Sequence, residues 1–66
     1  MILVSVYIHD DRYSVPTWRT AEITAEEASG FARKLIGSNE HYVRVDLRLD
    51  DTLIATATRD ERTAAA

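Results

Sequence analysis

The run Tyr42-Val43-Arg44-Val45-Asp46-Leu47-Arg48-Leu49, then Asp50-Asp51, then Leu53-Ile54-Ala55-Thr56-Ala57-Thr58, decides the fold class of this chain. Val43, Val45, Leu47 and Leu49 alternate with Tyr42, Arg44, Asp46 and Arg48. A side-chain period of two belongs to a strand with one face in a core and the other in water. The acidic dipeptide reads as the turn of a hairpin, since aspartate tolerates a positive φ. Two registers compete for the returning strand. A two-residue turn would set Ile54 opposite Leu47 in the core. A three-residue loop would bury Leu53, Ala55 and Ala57 and expose Ile54, Thr56 and Thr58. The alanine-in register is favoured: it is more cleanly amphipathic, and small side chains would let a helix sit close. A slip of one residue inverts every side chain, so the two exclude each other.

Toward the N-terminus, Ile2, Val4, Val6 and Ile8 alternate with Leu3, Ser5 and Tyr7, and bulk on both faces predicts a central strand. His9 to Pro16 is a connection rich in turn formers, and Thr17 to Ile23 reads as a more polar edge strand. Thr24-Ala25-Glu26-Glu27 has the form of a capping box, which predicts reciprocal bonds between each side chain and the other's backbone N–H. Ala28, Phe31, Ala32, Leu35 and Ile36 form the apolar stripe of a helix over 25–36. Gly37 stands where a left-handed C-cap belongs, and Gly30 is expected to permit close approach to the sheet.

The order strand, strand, helix, strand, strand predicts a two-layer α+β domain, ββαββ, with one helix on one face of a four-stranded sheet. The element order and lengths resemble the β-grasp arrangement of small immunoglobulin-binding bacterial domains. That resemblance implies the strand order 2-1-4-3, with 2-1-3-4 as the alternative. It implies no function, because no motif accompanies it. One domain is expected over 1–59 and a frayed tail over 60–66. A chain of 66 residues has room for one small core.

Composition narrows the function classes. The chain has no cysteine and a net charge of −3. The short apolar start lacks a basic n-region and a cleavage site, so a cytoplasmic protein is expected. All but one of the 8 basic side chains are arginine, Lys34 being the exception. An acidic total speaks against electrostatic capture of nucleic acid, which remains only an alternative through Arg and aromatic side chains. With Gly30 and Gly37 as the only glycines, no glycine-rich phosphate loop is possible, and the serines lack a nucleophile-elbow context. An enzyme is therefore not expected, and no cofactor or metal is assigned. A further alternative is a metal or catalytic site around His9 and His41, with Asp10, Asp11, Glu40, Asp60 and Glu61 converging at one sheet edge. A His–carboxylate contact there would need less geometry.

The favoured reading is a non-enzymatic protein-binding module that self-associates through its exposed sheet face or an edge strand. Trp, Tyr and Arg are enriched at interface hot spots. Tyr7, Trp18, Tyr42, Arg44 and Arg48 are the expected anchors, flanked by Arg12, Tyr13 and Arg19. Trp18 also reads as a core plug at the sheet edge. Arg44 and Arg48 equally read as charges guarding the edge of the sheet.

Overall fold

The computed structural model describes residues 1–59. The expected tail over 60–66, with Asp60 and Glu61, lies outside them. The chain forms strands β1 (Ile2–Asp10) and β2 (Thr17–Ile23), a 3-10 turn (Ala25–Glu27), helix α1 (Ala28–Gly37), and strands β3 (Tyr42–Leu49) and β4 (Thr52–Thr58). The α+β two-layer architecture is the expected one. The four strands form one sheet in the order β2-β1-β3-β4, and every neighbouring pair is antiparallel.

The β-grasp-like order 2-1-4-3 is therefore corrected to 2-1-3-4. Apolar bulk accounts for the difference. Val6 lies opposite Leu47 and Ile8 opposite Val45, and all four are buried in the core. Placing β4 beside β1 would have put Ala55 and Ala57 in the middle of the sheet and surrendered apolar burial, at ~0.8 kcal/mol per lost CH₂. The alanines instead lie in the outer strand, where α1 packs against β3 and β4. Because β3 is central, Arg44 and Arg48 do not guard an edge; the edges are β2 and β4.

The hairpin resolves its competing registers by adopting part of each. Leu49 lies opposite Thr52, so the turn is the two-residue Asp50-Asp51, with Asp50 at φ 54°. A bulge then intervenes: Arg48 opposes Leu53, but Leu47 opposes Ala55. Ile54 is the extra residue, and both Ile54 and Ala55 pack against the core. The bulge converts one register into the other and leaves Ala57 fully buried. Leu53 is exposed rather than buried, and Ile54 is packed rather than exposed. A second bulge, at Val43, sits where His9 opposes Arg44 but Asp10 opposes Tyr42.

The helix buries Ala28, Ala32 and Ile36 at spacings of four, with Phe31 and Leu35 packed beside them. Its start departs from the reciprocal capping box. The Thr24 hydroxyl donates directly to Glu27 Oε1 at 2.8 Å, and the Glu27 N–H donates to the Thr24 carbonyl at 3.1 Å. The 3-10 turn explains this, because its tighter i to i+3 bond already takes the donor that the Thr24 side chain would have met. Gly37 ends the helix without a positive φ. Ser38 terminates it instead, its N–H and hydroxyl both donating to the Leu35 carbonyl at 3.0 and 2.7 Å. A Cβ at Gly30 would meet nothing within 4 Å, so that glycine serves no close approach. No helix among the described residues is long and apolar enough to cross a membrane.

Candidate functional site: the open face of the sheet

Since α1 covers one side of the sheet, the pairing defines what the other side displays. Across it run Glu22 and Leu3; then Thr20, Ser5, Arg48 and Leu53; then Trp18, Tyr7, Asp46 and Thr56; then His9, Arg44 and Thr58. Leu3 and Trp18 are each 59% exposed and Leu53 is 43% exposed. Leu3, Trp18 and Leu53 stand in separate rows of this face, and Tyr7 lies directly opposite Trp18.

At its centre the face holds a carboxylate that is almost out of reach of water. Asp46 is 7% exposed. Its Oδ1 accepts from Arg44 Nε at 2.8 Å and from Thr56 Oγ1 at 2.7 Å, and its Oδ2 lies 3.6 Å from His9 Nε2. Strand pairing explains the convergence. Thr56 lies directly opposite Asp46 on β4, Arg44 lies two residues along β3 on the same face, and His9 faces Arg44 from β1. Burial pushes the Asp46 carboxyl up, but the Thr56 and Arg44 bonds and the charges of Arg44 and His9 hold it below its ordinary value. Beside it lies a shallow concavity of about 420 Å³, lined by Tyr7, His9, Asp46 and Arg48 with Pro16 and the Asp50-Asp51 turn.

A second polar cluster occupies the end of the sheet where β1 finishes. Asp10 accepts from Arg12 at Nε (3.0 Å), Nη2 (2.6 Å) and the backbone N–H (2.9 Å). The side-chain bond from Arg12 holds the Asp10 carboxyl down at about 2 despite its burial. Asp11 accepts from Arg59 Nη2 at 2.8 Å and meets His41 Nδ1 at 3.1 Å, and these contacts, Arg59 first, lower its pKa. The two histidines thus serve different carboxylates, His9 beside Asp46 and His41 beside Asp11. Among the described residues no group of three or more His, Asp or Glu side chains could hold a metal ion.

Four of the expected anchors, Tyr7, Trp18, Arg44 and Arg48, meet on the open face. The others do not. Tyr42 packs against the core on the helix side, because the bulge at Val43 turns it over. Arg19 lies opposite the buried Val6 and so projects on the helix side of β2. Arg12 and Tyr13 belong to the β1–β2 connection, where the guanidinium sits 5.6 Å from the ring centroid. Trp18 is no core plug. Sequence reasoning missed the organising role of Asp46. Its one visible signal was an acid between Arg44 and Arg48 at outward positions of one strand.

Comparison of the chain with protein-family models, with curated proteins and with solved structures returned no match.

Proposed function

We propose that the chain is a cytoplasmic, non-enzymatic protein-binding module whose contact surface is the open sheet face. The observation that carries this reading is the set of exposed apolar side chains, Leu3, Trp18 and Leu53, arranged around an internally satisfied polar centre. Such a surface has the composition of a contact patch: aromatic and aliphatic area for burial, around a carboxylate whose bonds are already made within the chain. Arg44 and Thr56 keep Asp46 anionic and engaged, so its bonds serve to fix the face. Arg48, on the same face, is the cation left to meet a partner's carboxylate.

The test is a double variant, Leu3→Ser with Arg48→Glu, which alters exposed positions and leaves the Asp46 bonds intact. Wild-type protein and variant are used as bait in the native host, with circular dichroism to establish that the fold persists. The expected result is loss of the partner that the wild type retains. An equally retained partner from a folded variant would place the contact elsewhere.

A further inference from the structure

The two edges of the sheet are not equivalent. β4 is interrupted by the bulge at Ile54 and lies against α1. A bulge twists an edge away from flat pairing, one of the devices by which proteins blunt exposed strands. β2 has no such interruption. It runs in unbroken register against β1 from Thr17 to Ile23, most of its residues are exposed, and among the described residues nothing pairs with its outer side.

We infer that β2 is the self-association strand, pairing antiparallel with β2 of a second copy about a two-fold axis at Thr20 to form one continuous eight-stranded sheet. This rests on reading the chain as a binding module and names its first partner, a second copy of itself.

Symmetry and charge select that register. A two-fold antiparallel pair must set residues of the same face opposite each other, so one residue of β2 faces its own copy. Centring on Arg19 or Glu22 would oppose like charges, which destabilises a sheet. Centring on Ala21 would leave Thr17 and Trp18 unpaired within the strand. Centring on Thr20 pairs all of Thr17–Ile23. It opposes Thr20 to Thr20, a favourable cross-strand pair, and sets the aliphatic stem of Glu22 against Trp18 on the open face. Arg19 then lies opposite Ala21, whose small side chain leaves room for the guanidinium. The seven paired residues give a ladder ~23 Å long. The open faces of the two copies become one surface, which doubles the area offered to any further partner.

The chain has no cysteine, so single cysteines report the geometry directly. Thr20→Cys, Arg48→Cys and Leu53→Cys are oxidised gently and followed on non-reducing gels, while sedimentation velocity of the wild type is recorded from micromolar to near-millimolar concentration. The expected result is a concentration-dependent dimer of the wild type, with Thr20→Cys forming its disulfide at least tenfold faster than the other two. Thr20→Lys should be folded and monomeric, and an equimolar mixture with Thr20→Glu should dimerise again. A wild type that stays monomeric throughout overturns the proposal. Faster cross-linking through Arg48→Cys would show face-to-face stacking, and through Leu53→Cys pairing by β4; either overturns it too. None of these results touches the partner-binding test with Leu3→Ser and Arg48→Glu, so the two readings fail separately.

Discussion

Asp46 is a carboxylate on the nominally solvent side of a sheet that is nonetheless shielded from solvent, and its bonds set its energetics. A folded-state pKa below the unfolded one adds stability above the unfolded pKa, and that stability is lost as pH falls through the folded value. Asp46→Asn, which keeps the shape but removes the charge, is expected to cost about 1–2 kcal/mol near neutral pH, the range for charge-assisted bonds with a partly exposed partner. The wild-type advantage should shrink as pH drops below the ordinary carboxylate range. Urea midpoints of both proteins at pH 7 and pH 3 check this; a gap that widens in acid would mean the charge is not what Arg44 and Thr56 recognise. Asp10 and Asp11 carry the same sign, so acid weakens the open face and the end of the sheet together.

Among the elements, the helix is the one with a correctable weakness. Gly30 lies exposed in α1 with open space where a Cβ would go, so it bears the entropic cost of glycine without a packing reason. Gly30→Ala should stabilise the fold by about 0.5–1 kcal/mol, seen as a rise in Tm of several degrees. An unchanged or lowered Tm would show that the glycine relieves something the static packing hides. The helix, β1 and β3 were legible from a clear period, 3.6 in the Ala28–Ile36 stripe and two in the strands, whereas β2 was read from its polar composition and β4 from its place after the turn. Strand order was not legible. It depends on which apolar side chains share the centre, a comparison between strands that no single period contains. The bulges were not legible either, although the conflict that produced one was. A clean pattern from Leu53 to Thr58 disagreed with the turn that Asp50-Asp51 favours, and the extra residue at Ile54 keeps the turn and the alanine-in pattern from Ala55 on, while Leu53 falls outside. The candidate face was half legible. Tyr7, Trp18, Arg44 and Arg48 follow from alternation alone, whereas Tyr42 was misplaced because the Val43 bulge breaks it.

At the scale of the molecule, the packing of α1 over one face of the sheet leaves a large part of the described surface to be made useful or made harmless. The side under α1 holds the core. The opposite side is tiled by paired charges and exposed apolar groups, and the two rims differ in how they are protected. The bulge at Ile54 also bears on how the chain can change length. A strand in perfect register has no tolerance for losing a codon, since everything beyond the loss would turn inside out. β4 carries one residue of slack. Removing Leu53, Ile54 or Ala55 singly would consume the bulge and leave Thr56 outside and Ala57 inside. Each of these deletions is expected to give a folded protein with a cooperative thermal transition. A single deletion at Val6, in a strand whose own residues are all matched, should abolish folding. A lineage of such chains would then vary in length at the β3–β4 hairpin while β1 stayed fixed.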